Sequence, residues 1–463
     1  MPADLMETLE RIVGARHVVP GAVAAAAPPA WDTHQPCRAR AVVRPADTAQ
    51  VSAVLAACRD AGQRVVPLGG VTNLVRACAT EPADLALSLA RLDRIEEVDR
   101  TAQTLTAGAG VTLRAAQEAA EAAGLLYPVD IGARDNCTLG GNVATNAGGT
   151  RVIRYGMTRD SVLGLEAVLA DGTVLSSMNR YIKNNSGYDL KQLFVGTEGT
   201  LGVVTRVVMR LAVRPASHNV ALLACARYAD VVAVLAAVRS ALGHTLTGFE
   251  VMWNSFYGRV VAPAAGRPAP LAPGSACYVL VEAMGTQPAG DDAAFAAVME
   301  ALIGEGRVAD GVIAKSGQER EALWAIRHDV EWIVSRAQNF DVSLRVADVG
   351  DYVDRLEAAV VACVPQAELA AFGHLGDNNL HVSVLGAADA AEREAIEAAV
   401  YETLGPYRGA ISAAHGIGRA KRRWLPLSRS AEEIAAMRML KRALDPGDIL
   451  NPGKVVGEPA AQA

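Results

Sequence analysis

Residues 132–149 read GARDNCTLGGNVATNAGG, and six of the last twelve are Gly or Asn. Such a run has little side-chain bulk and cannot build a core of its own. Yet patterned elements flank it. A helix is predicted from about Thr112 to Gly124, and a strand pair turned by Asp171-Gly172 follows. A loop this polar, this poor in charge and held between ordered elements suits close backbone approach to a large, flat, polar ligand. The fold must present that backbone to the ligand.

Two more Gly-rich turns carry the same character. Pro67-Leu68-Gly69-Gly70-Val71-Thr72-Asn73 follows a predicted strand, Arg64–Leu68. Amides without a neighbouring Cβ can approach an anion, and Thr72 and Asn73 add side-chain donors. Read alone, a plain turn fits equally well. The turn is no Walker A loop, and Gly108-Ala109-Gly110 has Leu113 where a dinucleotide fingerprint needs a small residue. The third turn, Gly196-Thr-Glu-Gly199-Thr-Leu-Gly202, leads into 203–211. There Val203, Thr205, Val207, Met209 and Leu211 alternate with Arg206 and Arg210, predicting a half-buried strand.

Three histidines stand in distinctive surroundings. His374 and His381 lie seven apart in GHLGDNNLH, across a turn. Imidazoles brought together there suit a borderline metal ion, although spacing alone favours two separate polar histidines. His415, before Gly416, can serve as a general base at a tight turn. A lone histidine is more often structural.

The chain has 463 residues, enough for about three units or two larger ones. A hydrophobic share of 51% supports sizeable cores. A net charge of −6 and 5% aromatics argue against a nucleic-acid partner. Seven scattered cysteines without a CxxC pair fit a reducing compartment. The N-terminus does not read as a signal peptide and no apolar run reaches 18 residues, so a cytoplasmic location is expected, with peripheral attachment to the inner membrane left open. Asp47 with Gln50, and Ser430 with Glu433, predict helix starts. Texture changes at Arg214-Pro215 suggest domains at 1–212 and 213–418, with a returning C-terminal segment at 419–463.

Together PLGGVTNL (67–74), DIGARDNCTLGGNVATNAGG (130–149), NNSGYDLKQLFVGTEGTLGVVT (184–205), GHLGDNNLH (373–381), AAHGIG (413–418) and LDPGDILNPGK (444–454) closely resemble one family. It is the flavoprotein dehydrogenases of the vanillyl-alcohol oxidase type, in the D-lactate, glycolate and D-2-hydroxyglutarate dehydrogenase branch. The resemblance implies an α+β fold: a two-part FAD-binding domain with an inserted α+β cap, and FAD bound at their junction. It implies that Pro67, Gly69, Gly70, Val71, Thr72 and Asn73 cradle the pyrophosphate. Asp130, Thr138, Gly141, Asn142, Thr145, Asn146, Gly148, Gly149, Gly199 and Val203 would line the flavin, and Asn451 would reach its ring. Relatives with covalent flavin carry a histidine in the first Gly loop; Val71 here implies non-covalent FAD. The implied reaction is oxidation of a D-2-hydroxy acid, with hydride passing to flavin N5. His415 is the implied base and Arg327 the implied carboxylate ligand. Electrons would go to an electron-transfer flavoprotein, a quinone or a cytochrome. A homodimer is compatible with this reading.

Two departures stand out. The family's metal site joins the counterparts of His374 and His381 to a glutamate, and that position is Ala414 here, which puts a divalent metal such as zinc in question. The hydroxyglutarate-specific members carry a lysine where this chain has Asn339. Its loss removes a charge-assisted bond of about 1.5–3 kcal/mol and favours a monocarboxylate or a polyhydroxy acid, with Asn378 and Asn379 as candidate hydroxyl ligands. Alternative readings are a non-catalytic flavoprotein subunit, which Ala414 favours, and an oxidase that uses O2.

Overall fold

The computed structural model describes residues 3–26, 36–262, 268–334 and 336–457. They form two compact units: Met1–Gly148 with Gly156–Arg214 and Ala414–Ala463, and Gly149–Tyr155 with Pro215–Ala413. The architecture is the expected α+β pair.

The first unit holds two sheets around one apolar core. In the four-stranded sheet, Ala41–Val43 and Val65–Leu68 both run parallel to Leu85–Ser88. Their residues are almost uniformly apolar, as strands covered on both faces must be. The helix Thr48–Asp60 is capped by Asp47, whose carboxylate accepts from the Gln50 N–H at 2.8 Å. The Gln50 side chain reaches back to the Ala46 N–H. Val51, Val54, Leu55 and Cys58 are fully buried, each worth about 1.5–3 kcal/mol if of Val or Leu size.

The second sheet is antiparallel, in the order Ile95–Asp99, Thr104–Gly108, Val203–Arg210, Val162–Val168, Val174–Ser177. Val203–Arg210 is thus the central strand, and the half-buried expectation needs correction. Val208, on the arginine side, is also buried, and a register shift between Val204 and Arg206 interrupts the alternation. The helix 48–60 packs beside this sheet: Thr48 donates to Glu166 at 2.7 Å and Ser52 to the Gly172 carbonyl at 2.5 Å. The Asp171-Gly172 turn joins the last two strands, with Gly172 at φ +88°.

The second unit is built on a seven-stranded antiparallel sheet. Its order is Asp310–Ile313, Ser217–Cys225, Cys277–Gly285, Leu246–Trp253, Glu368–Gly373, Asn379–Leu385, Gln338–Ser343. On one face Leu222, Leu280, Met252 and Phe372 pack with Phe256, Leu323 and Ile326. This unit also takes in Gly149–Tyr155, because Arg151 pairs with Glu282 and Ile153 sits against Gly376. It ends at Ala413. Of the loop expected at 262–274, residues 263–267 lie outside the described residues, and 268–274 form no regular element. All seven cysteines are free thiols, and no helix among the described residues is long and apolar enough to cross a membrane.

Glu282 shows how this sheet tolerates charge. It is fully buried and accepts from Arg151 Nε at 3.2 Å and the Thr247 hydroxyl at 2.8 Å, with His218 Nε2 at 2.9 Å. Burial alone would raise its pKa, but Arg151 and His218 outweigh burial and hold it at about 2, against an ordinary 4.5. The folded value lies below the unfolded one, so the ionised group stabilises the unit above pH 4.5. That stabilisation is lost as pH falls from 4.5 toward 2. It amounts to about 3 kcal/mol. Denaturant titrations across this window should show a steep acid-side loss in the native chain and a flatter one in Glu282→Gln. Equal slopes would contradict the assignment.

Candidate active site

In the first unit the three Gly-rich turns meet. Pro67 closes the strand Val65–Leu68 and delivers Gly69 and Gly70 against the second turn. A Cβ on Gly70 would lie 1.9 Å from the Asn136 carbonyl oxygen, and one on Gly69 2.8 Å from Thr138 Oγ1. Neither position admits a side chain without displacing backbone or the Thr138 cap. Gly199 brings the third turn onto Pro67: its Cβ would stand 3.1 Å from the proline Cγ. Val71 follows at φ +54°, left-handed backbone that a β-branched residue rarely adopts. Such strain persists only where the surroundings impose it.

The second turn forms the short helix Leu139–Thr145, with Thr138 accepting from the Gly141 N–H at 3.3 Å. Thr145 donates to the Gly141 carbonyl, and Asn146 accepts from the Arg159 N–H at 2.9 Å, so both help to hold the local backbone. Asp130 lies 3.9 Å from Arg134. Val203 is buried in the core. Gly148 ends the first unit's first segment, and Gly149 opens the second unit.

The Asn73 side chain holds its own loop. Its Oδ1 accepts from the Val75 and Ala77 N–H groups at 2.9 Å, and its Nδ2 donates to the His415 carbonyl at 3.3 Å. Asn73 therefore ties the first loop to the His415 segment.

Glu198, missed in the sequence, completes that tie. It is 6% exposed, and its carboxylate accepts from the Ile417 N–H at 2.7 Å and the Gly418 N–H at 2.9 Å. Its carbonyl accepts from Asn451 Nδ2 at 2.6 Å. Burial raises its pKa, against the pull of the two N–H groups and Lys421. One residue thus joins the third turn, the His415 segment and the tail. Glu198→Ala would strand two buried donors at about 1–3 kcal/mol each. The expected result is a lower unfolding midpoint together with weaker flavin retention. Unchanged flavin content in a destabilised protein would show that the tie serves folding alone.

Two residues expected at the flavin carry unsatisfied amide atoms. Asn142 is 3% exposed and Asn451 2% exposed; among the described residues Asn451 Oδ1 has no hydrogen-bond partner and Asn142 Nδ2 has none but the weakly accepting Cys137 thiol beside it. Native interiors leave few such groups, and each calls for an explanation. One orphan is a donor and the other an acceptor. A ring edge of alternating C=O and N–H groups would satisfy both, so these residues fit an isoalloxazine.

In the second unit a polar patch interrupts the apolar sheet face. Glu250, fully buried on the strand Leu246–Trp253, lies 2.8 Å from both Arg327 Nε and His374 Nδ1. Burial raises its pKa, but His374 and Arg327 more than reverse this and hold the carboxyl below its ordinary range. Arg327 is 4% exposed and its guanidinium lies 4.8 Å above the Phe372 ring. It has no other hydrogen-bond partner among the described residues, so its two terminal nitrogens remain to grip a carboxylate. His374 and His381 meet edge to face, ring centroids 5.1 Å apart. Asp377 is pushed up to about 7, first by burial and then by Glu250.

The metal expectation finds no support in this donor set. Among the described residues no group of three His, Cys, Asp or Glu side chains could hold a metal ion. His374 Nδ1 is engaged by Glu250. Two imidazoles are fewer protein ligands than a catalytic divalent site usually has.

Glu250 and Glu282 escaped notice in the sequence, although a signal existed. Each is a lone acid inside an apolar run, TGFEVMW and YVLVEAMG. A strand buried on both faces can hold an acid only if it is paired.

Comparison with known proteins places these features in context. Residues 214–455 match the model for FAD linked oxidases, C-terminal domain, and residues 39–177 that for an FAD binding domain. D-2-hydroxyglutarate dehydrogenase of Xanthomonas citri pv. viticola is 38% identical over 90% of this chain and 89% of its own. The mitochondrial D-2-hydroxyglutarate dehydrogenase of Bos taurus is 38% identical over 90% and 77%. Among solved structures, 4-ethylphenol oxidase from Gulosibacter chungangensis superposes with a TM-score of 0.77 at 18% identity, over 98% of this chain and 97% of that one. That last likeness concerns the fold.

Proposed function

The chain belongs to the FAD-linked oxidase family, and from that premise we propose that it oxidises a D-2-hydroxy acid to the 2-oxo acid and passes the electrons to a separate acceptor. The observation that carries this reading is the Arg327–Glu250–His374 group: a buried carboxylate aiming a guanidinium and an imidazole from one sheet face. Bound FAD supplies a two-electron acceptor for the hydrogen on the substrate's C2. Arg327 takes the substrate carboxylate through its terminal nitrogens. His374 and His381 orient the 2-hydroxyl; the base that takes its proton as C2 gives up hydride is, by the family resemblance alone, His415. The bookkeeping closes: one C–H and one O–H bond break, and a C=O forms. The acceptor is an electron-transfer flavoprotein, a quinone or a cytochrome.

Product analysis tests this. With an artificial acceptor, a D-2-hydroxy acid should yield its 2-oxo acid in equal amount to reduced acceptor. In air without acceptor, little hydrogen peroxide should appear; peroxide equal to product would make the chain an oxidase. Because Ala414 stands where the family's third metal ligand would be, dialysis against a chelator should leave turnover unchanged. Loss of turnover with chelator, restored by zinc, would contradict this.

A further inference from the structure

We infer that the distal part of the substrate bears a hydroxyl rather than a second carboxylate, so that the preferred substrates are polyhydroxy 2-hydroxy acids; the inference rests on the function proposed above. The key residue is Asn379. It is 7% exposed, and its Oδ1 is buried with no hydrogen-bond partner among the described residues. Strand register places it. Phe372 pairs with His381, Met252 with Phe372, and Ser343 with Asn379. Side chains two apart on a strand share a face, so Asn379 stands on the face that carries His381, Phe372 and Glu250. The Asn379 N–H also donates to the His374 carbonyl at 3.2 Å. The unsatisfied oxygen therefore belongs to the same polar patch as the carboxylate and hydroxyl ligands.

An amide oxygen needs a donor. A hydroxyl provides one, whereas an ionised carboxylate only accepts. The surrounding charge points the same way. Glu250 and Asp341 are the acids on this face, Asp341 in register with His381, and Arg327 is already bonded to Glu250. Asn339 does not supply a counter-ligand. Its Nδ2 donates to the Ile333 and Ala337 carbonyls at 3.4 and 3.1 Å, and its Oδ1 accepts from Ser383 at 2.7 Å. One carboxylate can be matched by Arg327; a second would meet acids and an acceptor. Sites built to bond a substrate hydroxyl discriminate strongly against analogues that lack it.

The test is anaerobic flavin reduction by the full chain with FAD, comparing D-glycerate, D-erythronate, D-lactate and D-2-hydroxyglutarate. The hydroxylated acids should exceed both others in kcat/KM by about tenfold or more, the worth of one hydrogen bond. Asn379→Ala should lower kcat/KM for the hydroxylated acids at least about tenfold more than for D-lactate. D-2-hydroxyglutarate as the best substrate, or an equal loss for all acids in the variant, would overturn the inference while leaving the dehydrogenase reading intact. Failure of every acid to reduce the flavin would instead remove that reading.

Discussion

Replacing Glu250 with alanine should cost kcat/KM a factor on the order of 10²–10³ while FAD stays bound. The reasoning is electrostatic. Glu250 is fully buried and bonded to Arg327 and His374 at 2.8 Å each. Removing one partner of a buried ion pair costs about 3–5 kcal/mol, because the remaining charge is uncompensated. Arg327 would then pair elsewhere or draw in water, and His374 would lose the contact that fixes its ring. Steady-state kinetics with FAD content measured in parallel checks this. Glu250→Gln separates geometry from charge: it keeps one acceptor for Arg327 and should fall between the native chain and the alanine variant. Native kcat/KM in Glu250→Ala would show that the buried triad only holds the sheet together.

His415→Ala should lower kcat by about 10²–10⁴, the usual contribution of a positioned general base. The local structure argues that the variant folds. The His415 segment is held through its backbone: its carbonyl accepts from Asn73, and the next two amides but one, Ile417 and Gly418, donate to Glu198. Gly416 at φ +86° makes the turn, and a Cβ there would lie 2.7 Å from Glu198 Oε1. These backbone contacts persist when the side chain is truncated. Normal FAD content with slow flavin reduction is therefore expected. Reduction at the native rate would transfer the base role to another group.

Much of this molecule was legible in its sequence. Local rules placed the Asp47 and Ser430 caps, whose side chains accept from Gln50 and Glu433 as expected. The density of Gly and Asn located the turns that meet backbone to backbone. Non-local features were hidden. Val203–Arg210 read as half-buried because its arginines alternate, but it is the central strand and Val208, on the arginine side, is fully buried. The tie from Asn73 to the His415 carbonyl, 342 residues away, has no local signature. Glu198, Glu250 and Glu282 find their partners across long sequence separations, and no local pattern encodes such pairs.

The decisive measurement is rapid mixing of the FAD-loaded chain with a D-2-hydroxy acid in the absence of oxygen, using substrate with either hydrogen or deuterium at C2. The visible flavin absorbance should bleach in a single turnover, more slowly with deuterium, and one 2-oxo acid should form per flavin. A chain that binds FAD yet shows no bleaching with any such acid, or bleaches at the same rate with both isotopes and forms no 2-oxo acid, would contradict the account.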